Sequence, residues 1–187
     1  MMHSASLIQA PIRTRYGIFS AYFSEIGLAR LEFPRKFELL EKTPDLPPAQ
    51  AIRWRKQTEQ ALNQALRNGR PSDLPPFDLR SGTDFQRRVW AALQTIDAGE
   101  TLTYASLAAL IHHPRAVRAA GGACGANPIP VLIPCHRVLA ASRKIGGFSG
   151  GLRWKERLLA IEGHQDFAAA CPELNLFNQA QEITEAA

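Results

Sequence analysis

Cysteine is scarce in this chain of 187 residues: Cys124, Cys135 and Cys171 are the whole set. An odd number without paired spacing argues against a disulfide framework and a cysteine-rich zinc site, and fits free thiols in a reducing compartment. Long apolar runs are missing too. No stretch approaches the roughly 20 uninterrupted apolar residues of a membrane span, and the start, Met1-Met2-His3-Ser4-Ala5, lacks the basic-then-apolar layout of a signal peptide. A cytoplasmic protein with no membrane partner is therefore expected. Internal repeats are absent, and no cofactor or metal is expected. What the chain does have is enough apolar content, 45 %, to bury a proper core. It also carries a net charge of +5, unevenly spread. Residues 1–80 hold twelve Lys and Arg against eight Asp and Glu, residues 81–165 hold ten against five, and the tail 166–187 holds four acids and no base. A basic body with an acidic tail favours an anionic partner.

The pattern predicts an α+β protein in three parts: an N-terminal domain over 1–80, a mainly helical domain over 81–165, and the acidic tail. Gly17–Phe23 and Gly27–Phe33 are rich in β-branched and aromatic residues and read as a hairpin. Ala49–Asn68 has helical apolar spacing and stops at Gly69. The proline-rich Pro71–Asp78 then connects to the second half. There Thr83 caps a helix carrying Phe85, Val89, Trp90 and Leu93 on one face, and Thr103 caps Tyr104–Ile111. After the break His112-His113-Pro114, a helix begins in Arg115–Cys124, so that the pair suggests a helix-turn-helix. Leu152–Ile161 reads as a basic amphipathic helix closed by Glu162-Gly163. The tail from Gln165 reads as a loose helix or disorder.

The chemistry gathers around Ile129-Pro130-Val131-Leu132-Ile133-Pro134-Cys135-His136-Arg137-Val138. Pro130 and Pro134 suit an edge or turn, which presents Cys135 at the exit of an apolar run with His136 beside it as a base. A cysteine is nucleophilic only as the thiolate, so a base matters. Taken alone, such a pair is more often packing than chemistry, because free cysteine is among the most buried residue types. Its surroundings change the weighting. The helix after the break is almost free of side chains at Ala116, Ala119, Ala120, Gly121, Gly122 and Ala123, yet projects Arg115 and Arg118, as suits insertion into a narrow groove. Asn127-Pro128 bends the chain into the cysteine run, and Gly146-Gly147-Phe148-Ser149-Gly150-Gly151 makes a loop whose backbone can approach a flat ligand.

Residues 82 to 163 resemble the O6-alkylguanine-DNA alkyltransferases, also called methylated-DNA:protein-cysteine methyltransferases. Pro134-Cys135-His136-Arg137-Val138 reproduces the family's PCHRV motif. Thr103-Tyr104, Arg118-Ala119, Asn127-Pro128, Ser149-Gly150-Gly151 and Leu158-Leu159-Ala160-Ile161-Glu162 follow in matching order and spacing. The resemblance implies an α+β fold with a small ribonuclease H-like N-terminal domain and a winged helix-turn-helix C-terminal one. It implies one irreversible transfer of an alkyl group from O6 of a flipped-out guanine to Cys135. In that scheme Glu162 holds His136, which takes the thiol proton through a water, and Tyr104 donates to the guanine ring. Ser149 binds O6, and Asn127 ties the cysteine run to the helices. Arg118 fills the vacated place in the stack, while Arg115, Phe148, Val138 and Gly150 complete the contacts to base and DNA. The implied partner is double-stranded DNA containing O6-alkylguanine, with O4-alkylthymine left open, acted on by a monomer.

The chain departs from the family at several points. Phe148 stands where many members have tyrosine, His112-His113 fill a turn that often carries Gly-Asn, and Cys124 lies on the recognition helix. The N-terminal half, with His3 as its one histidine and no cysteine, does not support the structural zinc of some relatives. Two other readings compete. A non-catalytic lesion binder would have lost the acceptor cysteine, and a turnover cysteine hydrolase would leave the arginine-bearing helix unexplained.

Overall fold

The computed structural model describes residues 7–34 and 49–168; the polar stretch before Ala49, Cys171 and most of the acidic tail lie outside the described residues. Three antiparallel strands, β1 (Ile8–Thr14), β2 (Gly17–Phe23) and β3 (Leu28–Glu32), form a sheet in the order β1-β2-β3. The expected hairpin is β2–β3, and β1 is an addition. Pro11 spoils the strand pattern, yet it is tolerated because β1 is an edge strand, where a missing N–H breaks no ladder. Ala10, Ile12, Phe19, Ala21, Phe23 and Leu31 are buried. Helix α1 (Ala49–Asn68) packs on β1 and buries Trp54, Thr58, Leu62, Ala65 and Leu66, a stripe repeating every three to four residues. It ends at Gly69, whose φ of +72 is the left-handed cap that favours glycine.

The proline-rich connector is fastened to the sheet. Leu28 donates to the Pro76 carbonyl at 2.8 Å and Asp78 donates back to that of Leu28 at 2.8 Å, while the Asp78 carboxylate accepts from Ser24 and Arg80. Next come α2 (Asp84–Leu93), β4 (Leu102–Thr103), α3 (Tyr104–Leu110) and α4 (Val117–Gly125). A capping box opens α2: Gln86 N–H donates to Thr83 Oγ1, and the Gln86 side chain accepts from Thr83 N–H. Trp90 Nε1 donates to the Ala123 carbonyl at 2.8 Å and binds α2 to α4.

The run 129–134 is buried but is not a strand: Val131 has φ +77, and Ile133 N–H turns back to the Ile129 carbonyl. Cys135–Arg137 form one 3₁₀ turn, followed by β5 (Val138–Leu139). β5 pairs in parallel with β4, Leu102 opposite Val138 and Thr103 opposite Leu139. That pairing sets Tyr104, the first residue of α3, beside the cysteine turn. Two-residue strands leave no periodicity to read, so this link was not legible in the sequence. Helix α5 (Leu152–Ile161) and the single turn α6 (Gln165–Ala168) complete the described α+β chain. One contiguous core joins Phe19, Leu62, Trp90, Leu107, Ile133 and Leu158. Among the described residues no helix is long and apolar enough to cross a membrane.

Candidate active site

Cys135 is 4 % exposed and stands on the wall of a cavity of about 340 Å³, which Tyr104, Gly121, Cys124, Phe148 and Ser149 also line. Asn127 secures it. The buried amide donates to the Ile133 carbonyl at 2.8 Å and to Cys135 Sγ at 3.1 Å, and its oxygen accepts from Ile129 N–H at 3.0 Å. One side chain thus links the end of α4 to the cysteine turn. Burial pushes the Cys135 thiol up to about 11, although the Asn127 hydrogen bond and the Lys155 charge favour the thiolate. Asn127→Ala leaves Ile129 N–H and Cys135 Sγ without their partner, while the Ile133 carbonyl keeps Cys135 N–H at 2.8 Å, and is expected to destabilise the fold by about 1–3 kcal/mol, as measured by denaturant unfolding. It should also raise the thiol pKa, read from the ultraviolet absorbance of the thiolate.

Behind the cysteine, His136 Nε2 lies 2.9 Å from Glu162 Oε1. Glu162 caps α5, and its side chain is 2 % exposed. A carboxylate only accepts, so neutral His136 carries its proton on Nε2 and has its lone pair on Nδ1. Nδ1 is buried and, among the described residues, has no hydrogen-bond partner. Arg137 donates to the same carboxylate from Nε at 3.0 and 3.1 Å and from Nη2 at 2.7 Å. Burial alone would raise the Glu162 carboxyl, but hydrogen bonds and charge from His136 and Arg137 outweigh it and hold the group at about 2. Burial lowers His136 below its ordinary 6.5, more than Glu162 raises it, so the ring is neutral near pH 7. Tyr104 is raised by burial and is a protonated donor at that pH.

These shifts make the fold acid-labile. Glu162 stabilises fully above the ordinary carboxyl value of 4.5 and loses that contribution as pH falls towards 2. Neutral His136 acts with the same sign, because below about 6.5 the unfolded chain takes up a proton that the folded ring resists. Denaturant midpoints are expected to fall from pH 6.5 downward and more steeply below 4.5. In Glu162→Gln the steep segment should flatten.

A model of the 6-O-methylguanine DNA methyltransferase DNA-binding domain matches residues 84–164. The methylated-DNA–protein-cysteine methyltransferase of Methanosarcina barkeri is 42 % identical over 144 residues, 74 % of this chain and 86 % of that protein. The chain belongs to this methyltransferase family. The Haemophilus influenzae member is 45 % identical over 118 residues, 59 % of this chain and 66 % of its own length. The matched part is 56 % of the Mycolicibacterium paratuberculosis member, so the chain spans less than two thirds of these bacterial relatives. Among solved structures, Mycobacterium tuberculosis OGT in complex with DNA superposes with a TM-score of 0.59 at 37 % identity, covering 81 % of this chain and 90 % of that one.

In this methyltransferase-family chain the remaining candidate residues fall into separate places. Phe148 and Ser149 line the cavity, whereas Gly150 abuts Phe33, whose ring a Cβ at that position would strike at 2.4 Å. Val138 is fully buried in β5 and is absent from the cavity wall. Arg115, before α4, and Arg118, within it, are exposed together with Ala119, Gly122 and Gly125, and neither arginine enters the cavity. Two residues near the site carried no expectation. Lys155 is completely buried and donates to the Val138 carbonyl at 2.7 Å; burial lowers it to about 8. Its spacing from Leu158 and Leu159 places it on the apolar face of α5, which is the signal that marks it. Arg137 left no such trace, because its partners are distant in the chain.

Proposed function

We propose that this protein repairs DNA by moving an alkyl group from O6 of guanine onto Cys135. What chiefly supports the reading is a buried cysteine facing a base-sized cavity, backed by a neutral histidine with a free buried Nδ1. At about 340 Å³ the cavity is at the small end of ligand pockets. In the proposed reaction Cys135 loses its proton through a water to His136 Nδ1. The sulfur then attacks the alkyl carbon as the C–O6 bond breaks, and the electron pair returns to the guanine ring. Tyr104 donates to the ring as negative charge develops, and a Ser149 donor meets O6. Glu162 steadies the imidazolium, as the orienting carboxylate does in other triads.

A guanine within a duplex cannot reach this thiol, so the nucleotide must be flipped out, at a cost of a few kcal/mol. The α3–α4 pair acts as a winged helix-turn-helix, with the exposed small-residue face of α4 in the minor groove and Arg118 in the vacated stack. Arg115 adds a phosphate contact, and residues 1–80 form a ribonuclease H-like domain. The relative solved in complex with DNA supports DNA as the partner; the reading places this chain in the cytoplasm, acting on duplex DNA as a monomer. The product is a thioether that no residue of the site can cleave, so each molecule acts once. Incubation with excess duplex carrying O6-methylguanine is expected to restore one guanine per protein and then stop. Continued turnover would favour a hydrolase, and tight binding without repair a lesion binder.

A further inference from the structure

Arg137 does more in this fold than complete the cysteine turn. Its guanidinium is nearly buried and every direction of its fork is used: Nε and Nη2 on Glu162, Nη1 on the Ile96 carbonyl, and Nη2 on the Gly69 carbonyl at 2.7 Å. Gly69 is the left-handed cap of α1, and a Cβ there would lie 2.5 Å from Glu162 Cγ. The N-terminal half therefore closes over the carboxylate that holds His136, and Arg137 fastens the closure. We propose that Arg137 is a positioning residue that neutralises Glu162 against the seat provided by Gly69, so that His136 remains an unprotonated base instead of an imidazolium.

The chemistry follows from a competition. A carboxylate facing a histidine alone stabilises the imidazolium and raises its pKa. With a permanent guanidinium on the same two oxygens, much of that attraction is spent, and the ring keeps its Nδ1 lone pair free. The charged or ionisable groups facing His136 are few. Glu162 and Lys155 come from α5, Arg137 and Cys135 from its own turn, and Lys155 adds a second positive charge that opposes protonation. The inward face of α2 contributes only Val89, Trp90 and Leu93, its charged residues being exposed. The device gives the contact of Gly69 with Arg137 and Glu162 a part in the reaction.

The proposal rests on His136 serving as the base, but its test reads the ring directly and not the transfer. The imidazole titration of His136 is followed by NMR in the full chain, with the resonance assigned by its loss in His136→Gln. In R137Q the titration is expected about one pH unit higher than in the unsubstituted protein, and the acid limb of single-turnover transfer should move with it. A rate lowered at every pH with an unmoved His136 titration would mean a merely structural role and overturn the proposal. If the ring titration moves and the acid limb does not, the positioning holds and His136 is not the base. R137K keeps a charge but gives up the fork. Should R137Q fail to fold by circular dichroism, R137K is read in its place: a smaller rise is expected, and an unmoved titration again overturns the proposal.

Discussion

Cys135→Ala is expected to abolish methyl transfer while leaving affinity for lesion-bearing duplex within about threefold of the unsubstituted protein. The sulfur is the attacking atom, and no other group in the cavity can replace it. Cys124 also lines the cavity, but burial pushes its thiol up to about 12. It lacks the Asn127 hydrogen bond that favours a thiolate at Cys135. Structurally the change is mild, because Cys135 Sγ accepts one hydrogen bond, from Asn127, and an alanine leaves a void smaller than a methylene-rich side chain would. Arg115, before α4, and Arg118, on its exposed flank, are untouched. Single-turnover assays beside fluorescence anisotropy on the same duplex separate the two effects. Residual transfer above background would move the acceptor to another residue.

His136→Ala gives the second large effect. With the Cys135 thiol at about 11, roughly one molecule in ten thousand is a thiolate at pH 7 unless a base removes the proton as the reaction proceeds. Positioned general bases contribute about 10²–10⁴-fold, so the rate at pH 7 is expected to fall by that factor. The shape of the pH profile discriminates further. Without the imidazole, the rate should climb about tenfold per pH unit towards pH 11, because hydroxide must generate the thiolate. The unsubstituted protein should be level above an acid limb lying below 6.5, where burial places His136. A small, pH-independent loss in His136→Ala would remove it from proton transfer.

Local patterns carried much of this in the sequence. The glycine stop at Gly69, the caps at Thr83 and Thr103, and the break at His112-His113-Pro114 each state their physics within a few residues, and α1, α2 and α3 run where these signals place them. The cysteine motif with its spaced companions was legible in the same way. What escaped depends on distance or on tertiary override. Pro11 argues against a strand until it is known to lie at an edge. Strands β4 and β5 are stabilised by their neighbours and not by propensity, and Val131 takes a positive φ that its β-branched side chain would not choose. Arg137 meets the carbonyls of Ile96 and Gly69 across 41 and 68 residues of chain, a closure no local pattern records.

The central claim is that Cys135 is consumed as the acceptor. After incubation with duplex DNA containing O6-methylguanine, the protein is digested and the peptides bearing Cys124 and Cys135 are weighed by mass spectrometry. The expected result is one methyl on the Cys135 peptide of each reacted molecule, an unmodified Cys124 peptide, and restored guanine in equal amount. Restored guanine with both peptides unmodified, or a methyl on Cys124, would contradict it.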